Sequence, residues 1–304
     1  MKKFITKLLV FSIFVVCIIM LLLWRYSGYV NEFYGKFTSP KQYSLILGDS
    51  RSFQGIQPSV INKRLDNDFQ TPIYNYSFTI EQVSYGEPFL ESIKKKIDPD
   101  TKNGLFILSV HPWVLAKREK DDFENNVFFE DEFLPNNMHF TSMNPNPEFF
   151  FRNFETFHFK SVFRKLSQVH EDGWMEDSNM TTDTAVQNSW KKKWLASYNK
   201  FNNKWETSDY RLAKLNKTIE FLKNHGTVVL VRMPLDKTIV AVEDKFWKDF
   251  DSDITTIAKA NGIRYFNYAR SNSPFVNYDG VHLNKEQGAL FTNALCDSIK
   301  KYKD

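Results

Sequence analysis

The apolar positions of this chain form short continuous runs, and stretches with helical periodicity lie between them. Each run is bounded by turn-forming residues, which is typical of strands that are buried on both faces of a sheet. Five runs predict strands, at residues 44–47, 72–79, 104–110, 227–234 and 262–268. Because strands and helices alternate, we predict an α/β fold, a three-layer sandwich with a roughly five-stranded parallel sheet.

Amphipathic stretches predict the helices that cover this sheet. They lie at residues 58–65, 82–97, 208–224, 244–260 and 285–300. In the third stretch, leucines and an isoleucine recur at helical spacing from Leu212 to Leu222, and Gly226 follows as an end signal. Residues 51–57 are expected to form a loop, because Pro58 suits the first turn of a helix better than its interior.

The first 25 residues predict a membrane anchor. Leu8 to Trp24 include no charged residue, and lysines precede them at positions 2, 3 and 7. A helix of this length spans roughly 25 Å, near the hydrocarbon thickness of a bilayer. No small-residue cleavage site follows, so we favour an uncleaved single-pass anchor over a cleaved signal peptide. The lysines place the N-terminus in the cytoplasm and the rest of the chain outside it, in the periplasm or at the cell surface.

The rest of the chain divides into a stalk and one large domain. Residues 26–42 are polar with scattered aromatics and lack strong periodicity, which indicates a stalk. Residues 43–304 form the predicted domain, with an insertion at about 117–205 that is too long for a simple loop. The many aromatic residues of the insertion, Trp194 among them, favour packing against the core. A carbohydrate- or lipid-facing surface is the alternative.

The composition is that of a globular protein, with 42% apolar and 25% charged residues. The net charge of +4 is too small to indicate a nucleic-acid partner. One basic run, residues 191–193 followed by Trp194, is expected to be a solvated helix face, and contact with an anionic polymer or a membrane surface is the alternative. The two cysteines and the histidines of the insertion lack the spacing of metal ligands, so we predict no metal and no cofactor.

Two short polar motifs, near opposite ends of the predicted domain, suggest a catalytic site. Gly48-Asp49-Ser50 follows the first strand directly, at the edge where open α/β sheets bind ligands. Asp279 and His282 lie just before the last predicted helix. A nucleophilic serine needs a base, and the base needs an orienting carboxylate. We therefore predict Ser50 as the nucleophile, His282 as its general base and Asp279 as the group that orients His282.

This pair of motifs resembles the SGNH, or GDSL-like, hydrolase superfamily, whose first block carries Gly-Asp-Ser and whose last carries Asp-x-x-His. The resemblance implies an SGNH/flavodoxin-like fold for residues 43–300 outside the insertion. It also implies an oxyanion hole. Ser77 stands where the family supplies a backbone N–H, and His111 stands where the family usually has an asparagine, so His111 is the candidate replacement donor.

Arg232 is a further candidate for the site. It lies near the carboxyl end of the fourth predicted strand, where its side chain could face the cleft and bind substrate. A surface ion pair is the alternative interpretation of this arginine.

The resemblance implies ester or acyl-transfer chemistry. A membrane anchor, an extracytoplasmic domain and a long insertion look most like the branch that modifies cell-envelope polymers, which includes teichoic-acid D-alanylation and polysaccharide O-acetylation proteins. We expect a serine-dependent acyl-ester hydrolase or O-acyltransferase that acts on an acylated cell-envelope glycan. By analogy it would work beside a multi-pass membrane acyltransferase. Two alternatives stay open: a generic carboxylesterase or lipase, and a catalytically inactive binding or scaffold protein with this fold.

Overall fold

The computed structural model describes residues 1–153, 168–177, 180–270 and 274–303. The strands are β1 (Ser44–Leu47), β2 (Ile73–Asn75), β3 (Gly104–Ser109), β4 (Gln168–Val169), β5 (Met175–Glu176), β6 (Gly226–Arg232) and β7 (Arg264–Asn267). Five of them form one parallel sheet in the order β2-β1-β3-β6-β7, and β4 and β5 form a separate antiparallel pair. The predicted α/β architecture with a five-stranded parallel sheet is confirmed.

The central strands are buried on both faces. Every residue of β1 and β3 is buried, and the two strands pair in register, with Leu45 beside Phe106. This continuous apolar pattern is what a parallel sheet covered by helices on both sides requires. Because the strands are parallel, their carboxyl ends all lie at one edge of the sheet.

Eleven α-helices lie within the described residues, and they cover both faces of the sheet except for the N-terminal one. They are α1 (Lys2–Val30), α2 (Tyr34–Thr38), α3 (Ser50–Gly55), α4 (Pro58–Leu65), α5 (Glu87–Lys96), α6 (Pro147–Asn153), α7 (Thr184–Asn202), α8 (Asp209–Lys223), α9 (Lys237–Phe246), α10 (Phe250–Asn261) and α11 (Lys285–Lys303). On one face, α11 packs against α3 and α4 over a core that includes Ile61 and Phe291. On the other face, a larger core includes Phe89 of α5 and Leu215 of α8.

Two helix boundaries differ from the sequence-based expectation. Residues 51–57 were expected to be a loop, but α3 begins at Ser50 and runs almost to the start of α4 at Pro58. The stretch 244–260 was expected to be one helix, but it contains the end of α9 and nearly all of α10. Asp49 explains the first difference, because its side chain accepts a hydrogen bond from the backbone N–H of Arg51 at 3.1 Å and so caps α3.

The N-terminal helix α1 is long and apolar enough to cross a membrane. The segment Lys2–Leu21 has a mean hydropathy of 2.7, and none of it is buried against the domain. Length and composition alone support this statement, and a signal sequence would have the same properties. The helix could therefore serve as a membrane anchor or as a signal sequence.

Part of the expected stalk belongs to the folded domain. Helix α2 follows α1 closely, and Phe33, Tyr34 and Phe37 are buried in the larger core. The ring of Phe33 stacks on Phe53 of α3, with ring centroids 5.8 Å apart. A helix of five residues is too short to show a periodic pattern, so the sequence suggested a polar stalk here.

A buried lysine of α2 binds the sheet through hydrogen bonds. Lys36 is fully buried, and its Nζ donates hydrogen bonds to the carbonyl oxygens of Asn75 at 2.5 Å and Gly173 at 2.9 Å. The ammonium also lies 4.1 Å from the centre of the Phe53 ring. Burial, the largest influence, lowers the pKa of Lys36 well below its usual value. Carbonyl oxygens and an aromatic face are the groups that can solvate an ammonium in the absence of water.

The insertion packs against the domain over its described residues. Phe128, Phe149, Trp174 and Tyr198 are buried, which supports the packing interpretation of its aromatic residues. Phe151 is an exception, with 90% of its surface exposed. Four further aromatic residues of the insertion, Phe154, Phe157, Phe159 and Phe163, lie outside the described residues.

We predict that Lys96→Met destabilises the domain by about 2–4 kcal/mol, because it removes the donor from several buried acceptors. Lys96 Nζ lies 2.8 Å from the carbonyl oxygens of Lys36, Ser39 and Thr141. Chemical denaturation of the full chain in detergent measures the loss. Lys94→Met, on the same helix, removes an exposed ion pair with Glu91 and a 5.9 Å contact with the Phe221 ring, and should cost less than about 1 kcal/mol. Equal losses in the two variants would contradict the assigned role of Lys96.

Candidate active site

The turn after β1 carries Ser50 at the carboxyl edge of the sheet. Gly48 has a φ of +146°, and a Cβ there would lie 2.5 Å from Ser52 Oγ and 2.7 Å from Ser109 Cβ. Glycine therefore suits both the conformation and the space of this turn. Because Asp49 caps α3, Ser50 becomes the first residue of that helix. Ser50 itself is only partly buried.

The loop before α11 brings His282 onto Ser50. Ser50 Oγ and His282 Nε2 are 2.9 Å apart, although 232 residues separate them in the sequence. His282 Nδ1 lies 2.7 Å from Asp279 Oδ2. The structure therefore brings together Ser50, His282 and Asp279, the three residues that the sequence singled out, in the order expected for a nucleophile, a base and an orienting carboxylate. These distances lie within the range for proton transfer by a general base.

The loop itself fixes the orientation of Asp279. Its Oδ1 accepts hydrogen bonds from the backbone N–H groups of Val281 at 2.9 Å and His282 at 2.8 Å. Burial raises the pKa of Asp279, but the imidazole of His282 and these hydrogen bonds outweigh it and lower the pKa to about 2. Asp279 is therefore an anion at neutral pH, and it accepts a hydrogen bond from the Nδ1–H of His282. The unprotonated Nε2 then faces the Ser50 hydroxyl.

The pKa of His282 lies above its usual value. Burial of the ring lowers this pKa, but the attraction and the hydrogen bond of Asp279 outweigh burial. A raised pKa makes the imidazole a stronger base toward Ser50 Oγ. His282 must lose its proton before it can accept one from Ser50, so the arrangement works best above that pKa.

Ser77 does not offer the backbone N–H that we expected from it. Its N–H already donates to the side chain of Asn75, with 3.1 Å between Ser77 N and Asn75 Oδ1. Its hydroxyl accepts a hydrogen bond from Ser52 Oγ at 2.9 Å. The expectation that Ser77 is an oxyanion donor is corrected: its backbone N–H binds the last residue of β2 and its hydroxyl binds α3. Sequence position alone could not reveal that the side chain of Asn75 would accept the hydrogen bond from the backbone N–H of Ser77.

His111 is buried and bonded to Asp49 rather than directed at an oxyanion. His111 Nε2 lies 2.8 Å from Asp49 Oδ2. Burial, followed by the nearby charge of Arg51, lowers the pKa of His111, so the ring is neutral at neutral pH. Nε2 then carries the proton that Asp49 accepts, and Nδ1 presents a lone pair. A lone pair cannot stabilise an oxyanion, so the expected role of His111 as a donor is also corrected.

Arg232 does not face the cleft but lies in a buried ion-pair network. It is fully buried and pairs with Glu243 and Asp251, each at 2.7 Å. The other oxygen of Glu243 pairs with Arg51 at 2.7 Å. Burial raises the pKa of Glu243, but the two arginines outweigh it and keep this pKa below its usual value. Arg232 therefore acts on the site indirectly, through the carboxylate that holds the residue after Ser50.

Helix α7 of the insertion contributes side chains that we had not singled out as part of the site. Trp194 Nε1 donates to Asp279 Oδ2 at 2.7 Å, and its ring meets the His282 ring edge to face. Tyr198 accepts a hydrogen bond from Arg51 at 3.0 Å. On the other side of His282, Tyr278 stacks on the imidazole with ring centroids 6.1 Å apart. The spacing of Trp190, Trp194 and Tyr198 by one helical turn was the sequence signal for this face.

The basic run of α7 is only partly solvated. Lys191 Nζ pairs with Asp236 at 2.8 Å. The aliphatic part of its side chain packs so closely on Gly280 that a Cβ there would lie 2.9 Å from Lys191 Cγ and Cδ. Lys192 and Lys193 are exposed. Within the described ranges, no group of three histidine, cysteine, aspartate or glutamate side chains is arranged to hold a metal ion.

Comparison with known proteins gives only distant structural similarities. No protein-family model matches the chain, and no curated protein matches its sequence. Among solved structures, Est24, a carbohydrate acetylesterase from Sinorhizobium meliloti, is 11% identical with a TM-score of 0.41, over 86% of this chain and 100% of that one. A lipase/acylhydrolase from Enterococcus faecalis is 12% identical with a TM-score of 0.40, over 85% and 96%.

The aryl esterase of M. smegmatis is 10% identical with a TM-score of 0.38, over 85% of this chain and 99% of that one. Identities and TM-scores this low support no inference about activity or substrate. The chemistry of this chain is therefore argued from its own side chains.

We predict that Glu243→Gln destabilises the full chain by about 3–5 kcal/mol, because two buried arginines lose the carboxylate between them. Denaturant unfolding in detergent measures the change. Glu220→Gln, on the exposed face of α8, is the matched substitution and should change stability by less than about 0.5 kcal/mol. A loss below about 1 kcal/mol for Glu243→Gln would show that the network is not needed for folding.

Proposed function

We propose that this protein is a serine-dependent enzyme that cleaves or transfers acyl esters, with Ser50, His282 and Asp279 as its catalytic residues. The observation that carries the proposal is the continuous hydrogen-bonded series from Ser50 Oγ through His282 to Asp279, at 2.9 and 2.7 Å. A nucleophile, a base and an orienting carboxylate in this geometry have the parts needed for acyl-enzyme chemistry. The Gly-Asp-Ser and Asp-x-x-His motifs support placement in the SGNH-like hydrolases.

The proposed reaction has two steps. Ser50 Oγ attacks the ester carbonyl carbon while its proton passes to His282 Nε2, and His282 then gives that proton to the departing alcohol. The acyl group is left on Ser50 as an ester. In the second step His282 takes a proton from the acceptor, which is water in hydrolysis or a sugar hydroxyl in transfer, and the acceptor oxygen attacks the acyl carbon. The bond from that carbon to Ser50 Oγ breaks, and His282 returns the proton to Ser50 Oγ. Asp279 stays ionised and stabilises the imidazolium in both steps.

The donors for the oxyanion differ from those that the sequence suggested. The N–H of Ser77 already donates to Asn75, and the single N–H of neutral His111 already donates to Asp49, as described above. The backbone N–H of Ser50 is the first of helix α3, where N–H groups have no acceptor within the helix. It lies in the same residue as the attacking oxygen, so we propose it as one donor to the developing negative charge.

The substrate class and location that we propose rest on the membrane segment. Lys2–Leu21 could anchor the chain, with the lysines in the cytoplasm and the domain outside. An anchored extracytoplasmic domain meets glycans of the cell envelope, so we propose an acylated envelope glycan as the substrate or acceptor. A multi-pass membrane acyltransferase is the partner that we propose by analogy. A generic carboxylesterase would share the catalytic residues but would not need the anchor.

We predict that a fluorophosphonate probe labels Ser50 in the full chain in detergent, because an activated serine attacks the phosphorus centre. Mass spectrometry of the labelled peptide identifies the residue. Ser50→Ala should abolish labelling, and His282→Ala should slow it by at least about 10³-fold. Ser52→Ala, two residues further along the same helix, should label at the wild-type rate.

Absence of labelling in a folded wild-type sample would contradict the proposed function and would favour the inactive scaffold. Labelling at another serine would contradict the assignment of Ser50.

We predict that the kcat/KM for p-nitrophenyl acetate rises with pH through the pKa of His282, at a pH above 6.5. Asp279 raises this pKa, so Asp279→Asn should move the rise to lower pH. It should also lower kcat by roughly 10⁴-fold, because the imidazole loses its orientation and its countercharge. Asp253→Asn, in α10, is the control and should keep the wild-type profile. An unchanged pH profile in Asp279→Asn would contradict the role of Asp279.

A further inference from the structure

We propose that Trp194 is a positioning residue, supplied by the insertion, that holds the carboxylate of Asp279 against His282. The inference rests on the proposed function and extends it to a residue outside the catalytic motifs. The indole N–H of Trp194 donates to Asp279 Oδ2 at 2.7 Å, the oxygen that also accepts from His282 Nδ1 at 2.7 Å.

Trp194 completes a set of four donors around one carboxylate. The loop of Asp279 provides three: the backbone N–H groups of Val281 and His282, and His282 Nδ1. The fourth comes from a residue 85 positions earlier in the chain. A carboxylate offers about four lone-pair positions, so the indole leaves Asp279 little freedom to rotate away from His282. The Trp194 ring also packs edge to face on the imidazole, with ring centroids 5.3 Å apart.

Contacts one turn to either side hold Trp194 in place. Lys191, three residues earlier, pairs with Asp236 at 2.8 Å. Tyr198, four residues later, accepts a hydrogen bond from Arg51 at 3.0 Å and stacks on Trp113 at 5.2 Å between centroids. The same face of α7 therefore contacts both the turn that carries Ser50 and the loop that carries His282, and so links these two segments.

Several charged groups face the Asp279–His282 pair and set the direction of the expected pKa change. Asp49 favours the protonated form of His282 and Arg51 opposes it. Asp177, which approaches from the segment after β5, also interacts with both members of the pair. None of these charges changes when Trp194 is replaced. Without the indole N–H, Asp279 Oδ2 loses one of its two donors and is freer to rotate away from His282. The attraction between Asp279 and His282 should then weaken, and the pKa of His282 should fall.

The test is an NMR titration of His282 in the full chain in detergent, with ¹³C-labelled histidine. His282→Ala identifies the resonance, and Trp194→Phe removes the N–H but keeps an aromatic ring. We expect Trp194→Phe to lower the pKa of His282 by about 0.5–1, since the loss of one of four hydrogen bonds loosens Asp279 without removing its charge. The rise of kcat/KM with pH should move by the same amount, and kcat should fall by about tenfold with little change in KM.

A matched control separates this effect from a general loss of packing. Trp247 Nε1 donates to Asp253 Oδ2 at 2.8 Å, away from the site. Trp247→Phe therefore removes a tryptophan–aspartate hydrogen bond of the same kind and should leave the pKa of His282 unchanged. The other five histidines serve as internal reporters of folding. If Trp194→Phe does not fold, Trp194→Leu tests the same N–H, because Trp194 is only partly buried.

Trp194 should act only through Asp279. In an Asp279→Asn background, Trp194→Phe is expected to shift the pKa of His282 by less than about 0.2, because the anion that Trp194 positions is gone. An unchanged pKa of His282 in Trp194→Phe, or an equal shift in the Asp279→Asn background, would overturn the proposal. The titration does not require enzymatic activity, so it tests the role of Trp194 even if the fluorophosphonate fails to label the wild type. Failure to label would overturn the proposed function and not the role of Trp194.

Discussion

The site depends on one geometric constraint: parallel strands place all their carboxyl ends at the same edge of the sheet. β1 ends at Leu47 and passes directly into the Ser50 helix at that edge. The chain leaves β7 at the same edge, and its next loop carries Asp279 and His282. Residues at opposite ends of the domain therefore meet within hydrogen-bond distance. No contact local in sequence could hold Ser50 and His282 together, so the sheet must fold before the site can exist.

The surroundings of Ser50 are unusually rich in buried charge. Asp49 and Arg51 flank it in sequence, and both are almost fully buried. His111 satisfies Asp49, and Glu243 and Tyr198 satisfy Arg51. A buried charge without such a partner would cost several kcal/mol. The polar partners thus come from the turn after β3, from α7 and from α9, and all three contact the residues on either side of Ser50.

The sequence predicted the architecture and the three residues of the Ser–His–Asp series for physical reasons that are local. Continuous apolar runs reveal buried strands, and a glycine-containing turn directly after such a run marks the edge of the sheet. Ser77, His111 and Arg232 were also chosen by their positions at or near the carboxyl ends of strands, but their roles depend on which side chains they contact. Asn75 occupies the N–H of Ser77, Asp49 binds His111, and Glu243 draws Arg232 inward.

Helix α2 and Trp194 were missed for a related reason. A helix of five residues shows no periodicity, so the buried segment after α1 looked like a polar linker. The aromatic residues of the insertion were expected to pack, but sequence alone could not show that one of them would reach Asp279. In both cases the pattern identifies a residue as buried or aromatic, whereas the function depends on which groups it contacts.

The burial of α2 also limits how far Ser50 can move relative to the end of α1. A flexible linker of the length of residues 26–42 would let the domain range over roughly 23 Å. Instead, Asn31 and Glu32 alone separate the end of α1 from Phe33, which is in the core. Two extended residues reach only about 7 Å. With α1 in a bilayer, Ser50 would stay at a nearly constant distance from the membrane surface, and any molecule that reacts with it would have to reach that distance.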